Sequence, residues 1–140
     1  MSLTAFLAQN AKKVENVKYV ASERFVDAEG KPVPMEIKCI TSEEDEQLRR
    51  ECARRIQIPG TNQYMSETDY STYIGKLAAE CTVFPNLNAV ELQDSYSAFS
   101  AEECLKKMLT PGEYADYTAK VQQVCGFNQN LKDLTKEAKN

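Results

Sequence analysis

Histidine and tryptophan are both absent from this chain. Histidine is the only side chain whose unperturbed pKa lies roughly between pH 5 and 8, and it is the commonest general base and metal ligand. Its absence excludes Ser–His and Cys–His nucleophilic pairs and most zinc sites. We therefore expect the protein to use carboxylate, lysine or thiol chemistry, or to act by binding alone.

Glycine is scarce as well, and its five residues stand singly along the chain. The loops that bind phosphate in P-loop and dinucleotide-binding proteins need clustered glycines, so we expect no nucleotide cofactor. The apolar runs are only a few residues long, far below the ~20 residues that span a membrane. The N-terminus also lacks the basic and apolar regions of a signal peptide. We expect no membrane partner.

The chain is moderately acidic, with 21 acidic and 17 basic residues and a net charge of −4. Such a charge repels nucleic acid, so we expect no nucleic-acid partner. Four arginines form the one basic cluster: Arg49, Arg50, Arg54 and Arg55. We interpret them as the solvated face of a helix, with ion pairs one turn apart at Glu46–Arg50 and Glu51–Arg55. A docking surface for an acidic protein segment is the alternative.

The five cysteines are odd in number and stand 13 to 29 residues apart. A secreted disulfide framework is normally denser and even in number, so reduced thiols in the cytosol are expected. Cys39 falls on a predicted strand. The other four fall on the apolar faces of predicted helices, where free cysteine fills a core. These four are Cys52, Cys81, Cys104 and Cys125. No two cysteines have a paired ligand spacing, so we expect no metal site.

Apolar and polar side chains alternate on both sides of residues 27–32, which is the pattern of strands with one buried face. Gly30 and its polar neighbours favour a turn between them, so the sequence predicts a β-hairpin at about 18–40. Pro32 and Pro34 place the start of the second strand at a sheet edge. An uncovered edge favours pairing with another chain, which leaves a homo-oligomer open.

From Thr41 onward the apolar period is helical, and the helix starts carry a cap residue followed three positions later by glutamate. The four signals are Thr41–Glu44, Asn88–Glu91, Ser100–Glu103 and Thr110–Glu113. Acidic residues in a first turn also interact favourably with the helix dipole, which is the simplest account of the acidic run 43–46. A pair of catalytic carboxylates is the alternative.

Leu48, Cys52 and Ile56 recur every four residues, so the first helix is predicted to continue along this stripe and to stop before Pro59. The segment 61–66 is predicted to be a polar loop. The second helix is predicted to start between 66 and 69 and to end at Pro85.

The predicted fold class is therefore α+β and mainly helical, with an N-terminal β-hairpin followed by a bundle of four to five short helices at about 42–126. We expect residues 1–127 to form a single globular domain. The charged segment 128–140 has few apolar residues, and we expect it to fray as a C-terminal tail.

Several segments carry a resemblance to a known family, in order and over nearly the full length. They are MSLTAFLAQN at 1–10, SERFVD at 22–27, GKPV at 30–33, SEED at 42–45, VFPNLN at 83–88, ELQDSY at 91–96 and KMLTPGEY at 107–114. The chain resembles the XkdN-like phage tail assembly chaperones of Bacillus-type prophages and contractile-tailed phages. None of these segments is a catalytic signature.

The resemblance implies a mainly helical, non-enzymatic chaperone that binds the tape measure protein, and possibly other tail proteins, and keeps it soluble during tail assembly. It also implies a location in the cytoplasm of the bacterial host and absence from the mature particle. A structural subunit of a phage tail-like particle is the alternative. A carboxylate-based enzyme is a second alternative, which would require two acids in one cleft.

A chaperone of this kind needs an apolar or aromatic surface that can receive an amphipathic helix. We expect aromatic and apolar side chains beside breaks in the helical period to form it. The candidate partner-binding residues are Tyr64, Met65, Tyr70, Tyr96 and Phe99. We expect no catalytic, cofactor-binding or metal-binding residues.

Overall fold

The computed structural model describes residues 2–127, and its architecture is α+β with helices predominating, as predicted. In chain order the elements are a 3₁₀ turn (Thr4–Phe6), β1 (Val17–Tyr19), β2 (Met35–Ile37), α1 (Ser42–Glu51), β3 (Ala53–Gln57), β4 (Tyr64–Thr68), α2 (Tyr70–Cys81), β5 (Thr82–Phe84), α3 (Val90–Ser95), α4 (Ala101–Met108) and α5 (Pro111–Val124). The tail 128–140, predicted to fray, lies outside the described residues.

The predicted N-terminal hairpin is confirmed as an antiparallel pairing of β1 with β2, in which Tyr19 lies opposite Met35. Each strand has three residues, because the chain between them leaves the ladder and returns only at an isolated bridge between Val26 and Pro32. Gly30 has a φ of +81° in the turn, a conformation that glycine adopts without the penalty of a Cβ.

The sequence patterns do not predict β5. The second helix was expected to end at Pro85, but α2 ends at Cys81 and the residues Thr82–Phe84 pair with β2. β-branched and aromatic side chains favour a strand here, and a proline disfavours helical backbone in the residue before it. The strand order β1-β2-β5 makes β2 the central strand, and its pairing with β5 involves Glu36 and Ile37, after the two prolines.

The prediction that the first helix reaches Ile56 is wrong. α1 ends at Glu51, and β3 follows and pairs antiparallel with β4, so that Ile56 lies opposite Met65. The segment containing Tyr64 and Met65 is therefore a strand and not a loop. Apolar residues spaced four apart lie on one face of a strand as well as on one face of a helix, because four is a multiple of two. The pairing of β3 with β4 shows that the segment is a strand.

The helix caps follow the sequence closely. Thr41–Glu44 and Thr110–Glu113 form capping boxes, and the side chain of Ser100 accepts a hydrogen bond from the backbone N–H of Glu103. The expected cap at Asn88 is wrong, because α3 begins one residue later and has Ala89 at its N-cap. The N–H of Asn88 donates instead to the side chain of Asn86, at 3.0 Å, in a turn that precedes the helix.

The core is built around α2, which contacts α1, α4, α5 and β5. The largest fully buried side chains of the core include Ile37, Tyr73, Leu77, Leu105, Tyr117 and Val121. The hydroxyl of Tyr117 lies 2.6 Å from the hydroxyl of Thr82, which supplies the polar partner that a buried phenol needs. Over residues 2–127, no helix combines the length and the apolar character that crossing a membrane would require.

The cysteines largely occupy the positions expected of core residues. Cys52, Cys81 and Cys104 are buried, whereas Cys39 and Cys125 are half-buried. The prediction that free cysteine fills the core is confirmed for the first three. Cys52 caps the C-terminus of α1 rather than lying inside a longer helix.

Candidate partner-binding surfaces

The strands β3 and β4 form a hairpin that we call the arm, residues 53–68. Gly60 closes its turn with a φ of +77°, and the backbone N–H of Ile58 donates to the carbonyl of Gln63 at 2.9 Å. At the base, the N–H of Asp69 donates to the carbonyl of Cys52 at 2.8 Å. The chain therefore enters and leaves the arm at one point between α1 and α2.

The arm has no fully buried residue; its half-buried residues are Ile56, Ile58 and Thr68. Its sheet has two strands, so within residues 2–127 the outer edges of both strands lack a strand partner. A two-stranded hairpin is marginally stable in water unless something covers it. Open edges and exposed apolar side chains together make the arm a candidate for binding an extended segment of another chain.

Its two faces differ in chemistry. On one face, Ile56 packs opposite Met65, and the guanidinium of Arg54 lies 3.7 Å from the carboxylate of Glu67. On the other face, the guanidinium of Arg55 lies 4.7 Å from the ring centroid of Tyr64, within the range of a cation–π contact. Two arginines against one glutamate give residues 53–68 a net positive charge, although the whole chain carries −4.

The predicted arginine cluster is accordingly divided. Arg49 and Arg50 lie on α1, whereas Arg54 and Arg55 lie on β3. The pair Glu46–Arg50 is confirmed at 3.7 Å. The predicted ion pair Glu51–Arg55 is wrong, because α1 ends at Glu51 and Arg55 lies on β3.

A polar network holds the base of the arm. Arg49 donates to Asp45 at 3.0 Å and to the hydroxyl of Tyr73 at 3.3 Å, and that hydroxyl donates in turn to Asp45. Interaction with the side chain of Tyr70, and then the hydrogen bond to Asp45, raises the pKa of Arg49 above its usual range. Burial, together with the neighbouring Asp45 carboxylate, raises the pKa of Tyr73.

Tyr70 begins α2, and its ring packs edge-to-face on that of Tyr73 at a centroid distance of 6.0 Å. The side chain of Tyr70 nevertheless remains 61% exposed. A rigidly supported aromatic ring beside the arm suits partner binding, because little conformational freedom is lost when it is covered.

A second surface is an apolar groove of about 440 Å³, which we call the groove. β2, β5, α3 and the segments that flank them supply most of its lining, which includes Phe25, Val33, Pro34, Phe84, Pro85 and Tyr96. Its volume lies in the range of ligand pockets and leaves room for a few apolar side chains of a partner.

Arg24 is fixed at the rim of the groove. One of its guanidinium nitrogens donates to the carbonyl of Met108 and to the carboxylate of Glu113, each at 2.7 Å. The same guanidinium lies 5.2 Å from the ring centroid of Phe25. Hydrogen bonds from Arg24, and then from Ser22 and Thr110, lower the pKa of Glu113 to about 2. The rim therefore carries a permanent, oriented ion pair.

The structure places the five predicted binding residues on different surfaces. Tyr64 and Met65 lie on the arm, Tyr70 lies at its base, and Tyr96 lines the groove. Phe99 is 92% exposed and lines a separate, polar depression with Leu48 and Lys76.

Sequence reasoning missed most of the groove. Phe84 is 52% exposed at the end of β5, and Pro85 follows it with a cis peptide bond. The signal available in the sequence was an aromatic residue followed by proline, because this pair ends a helix and leaves a large apolar side chain beside the break.

Among residues 2–127, no group of three or more cysteine, aspartate or glutamate side chains is arranged to hold a metal ion. The chemistry on these two surfaces consists of apolar contact, aromatic faces, open strand edges and a few oriented charges. Such features support recognition of another protein chain.

The sequence matches the family model of the phage XkdN-like tail assembly chaperone proteins over residues 3–139. It is 34% identical to YqbN of Bacillus subtilis (strain 168) over 139 residues, which cover 99% of this chain and 93% of that protein. It is 30% identical to XkdN, a protein of the phage-like element PBSX of the same organism, with the same coverage.

The fold is similar to the crystal structure of the protein YqbN, with a TM-score of 0.78 and 31% identity over 91% of this chain and 98% of that one. The family model spans nearly all of the sequence, and the two relatives align with this chain over 93% of their own lengths. The chain therefore belongs to the XkdN-like family of phage tail assembly chaperones.

Proposed function

We propose that this protein acts without catalysis by binding the tape measure protein and keeping it soluble until the tail tube assembles around it. The proposal rests on the membership of the chain in the XkdN-like family, and the apolar groove supports it by offering a surface for a partner. The protein would act in the cytoplasm of the bacterial host and leave before the particle matures.

The groove supplies the main contact in this proposal. A tape measure protein is long and helical, and the apolar ridge of an amphipathic helix needs a concave apolar surface to cover it. Phe25, Phe84 and Tyr96 would receive the ridge, and the oriented Arg24–Glu113 ion pair would form a polar contact at the rim. Burial of such side chains contributes roughly 25 cal/mol for each Å² of apolar surface removed from water.

The arm supplies a second contact. Its open edges and the exposed side chains of Tyr64 and Met65, which are 55% and 52% exposed, would pair with an extended segment of the same partner. Two separate weak contacts on one partner raise the overall affinity, because the second contact forms at high effective concentration.

Co-expression with the tape measure protein of the same phage or prophage tests this function. We expect the tape measure protein to move from the insoluble to the soluble fraction and to co-purify with the chaperone. Phe84→Ser should weaken binding about tenfold, as truncation of a central apolar contact usually does. Tyr64→Ala combined with Met65→Ala should weaken it less.

Val90→Ser is the matched control, because Val90 is 73% exposed but lies outside both the groove and the arm. It should bind like the unmodified protein. The proposal fails if the tape measure protein stays insoluble, or if Phe84→Ser and Val90→Ser bind equally well. Mass spectrometry of purified particles separates a chaperone from a structural subunit, because a subunit remains in the particle in stoichiometric amount.

A further inference from the structure

Three thiols from distant parts of the sequence meet at the C-terminal ends of α2 and α5. Cys81 ends α2, Cys125 caps the C-terminus of α5, and Cys39 follows β2. The sulfurs of Cys81 and Cys125 are 3.8 Å apart, although 44 positions separate the two residues. The thiol of Cys39 lies beside Cys125 and donates to the carbonyl of Ile40 at 3.3 Å. Core filling alone does not require three sulfurs to converge.

The two sulfurs in contact have different surroundings. Cys81 is completely buried, whereas Cys125 is half-buried. A hydrogen bond from the Cys81 thiol lowers the pKa of Cys125 to about 6, and the backbone N–H of Ile40 adds to this effect. Burial acts in the opposite direction on Cys125. The same hydrogen bond raises the pKa of Cys81.

The charged groups that face the cluster act on it in both directions. Asp45 disfavours the thiolate of Cys125, and Glu44 disfavours that of Cys39. Lys38 favours ionisation at Cys81. The hydrogen bonds onto Cys125 dominate, so the first proton to leave the cluster leaves from Cys125. A partly accessible thiolate next to a buried thiol is the arrangement of an attacking and a resolving cysteine.

We propose that Cys125 and Cys81 form a site of reversible thiol oxidation that reacts with low-molecular-weight disulfides. The thiolate of Cys125 attacks one sulfur of the small disulfide, a new S–S bond forms, and one small thiolate leaves. The sulfur of Cys81 then attacks Cys125, its proton passes to the departing second small thiolate, and a Cys81–Cys125 disulfide remains. The protein loses two electrons and two protons, and the small disulfide is reduced to two thiols.

The geometry needs little change for this bond to form. The sulfur–sulfur distance must shorten from 3.8 Å to about 2 Å. Cys125 lies just past the last residue of α5, so the change falls at the end of that helix rather than within it. The bond would tie α2 to α5 and close a loop that contains β5, α3, α4 and α5, which restricts the unfolded chain.

The test uses the reduced full-length protein, with glutathione disulfide as the oxidant, well below the unfolding temperature. We expect a mass loss of about 2 Da and a single bond between Cys81 and Cys125 in the peptide map. We expect Tm to rise by roughly 5–10 °C without reductant and to return when dithiothreitol is added. Cys52 and Cys104, which are buried elsewhere in the core, should remain unmodified.

Substitutions separate the two steps. Cys81→Ser should retain glutathione on Cys125 as a mixed disulfide, and Cys81→Ala should do the same if serine destabilises the buried position. Cys104→Ser is the matched control and should oxidise like the unmodified protein. A bond between any other pair, an unreacted protein, or a Cys81 variant without the adduct would each overturn the proposal. No tail protein is needed, so the result is independent of the partner-binding test.

Discussion

The arm and the core around α2 are neighbours in sequence but opposite in construction. The core encloses Tyr73, Leu77 and Tyr117 with 1% or less of each exposed, whereas the arm has no buried residue. The core elements pack on several others, and β3 and β4 pack mainly on each other. We infer that the core supplies most of the stability, whereas the arm contributes little to folding and adds to recognition, because its side chains are exposed.

The largest expected contrast is between a truncation in the core and one in the arm. Leu77→Ala should lower the free energy of unfolding by about 3 kcal/mol, because it leaves a cavity among fully buried neighbours. Ile56→Ala should lower it by less than about 1 kcal/mol, because that side chain is half-buried. Urea denaturation followed by circular dichroism measures both. Equal losses would mean that the arm is part of the cooperative core.

A change of pH is expected to have an intermediate effect on stability, through Glu113 at the rim of the groove. The pKa of Glu113 is about 2 in the fold against an ordinary value of 4.5, so its contribution is full above pH 4.5 and is lost as the pH falls towards 2. The pKa values of Glu44, Asp69 and Glu103 are also lowered, so total stability should fall in the same acidic range.

Glu113→Gln isolates that contribution, because glutamine keeps an acceptor for the capping box but not the charge. The variant should be less stable than the unmodified protein at pH 6, and the difference should shrink as the pH falls below 4. Urea midpoints at a series of pH values measure this. A difference that is constant across the range would show that the charge of Glu113 contributes nothing.

The smallest effect is expected from the ion pair on the arm. Arg54 and Glu67 are both well exposed and 3.7 Å apart, so a double-mutant cycle with alanine should give a coupling of about 0.5 kcal/mol or less. The matched pair Arg49–Asp45, at 3.0 Å and less exposed, should give a larger value. The reverse order would contradict the division between a stable core and a recognition arm.

Local signals in the sequence were sufficient for much of the fold. Thr41 and Thr110 mark their helix starts correctly, because a capping box is made by residues within four positions of each other. The alternation near Gly30 correctly predicts the first hairpin. The fold class follows from these elements.

Non-local pairing accounts for the errors. Cys52 and Ile56 fit the period of a helix, yet Ile56 pairs across the sheet with Met65, nine positions later, and such a partner is invisible in a helical window. β5 was missed for the same reason, since its partner β2 lies more than forty residues earlier. The groove depends on both β2 and β5, so it could not be located before their pairing was known.

The hydrogen bond between Cys52 and Asp69 has an evolutionary consequence. Because the two stems of the arm meet at one point, an insertion or deletion between them leaves the path of α1 and α2 unchanged. The arm is thus a segment whose length can change without altering the path of the rest of the chain. A short linker that joins Cys52 to Asp69 would give an armless protein that keeps the groove.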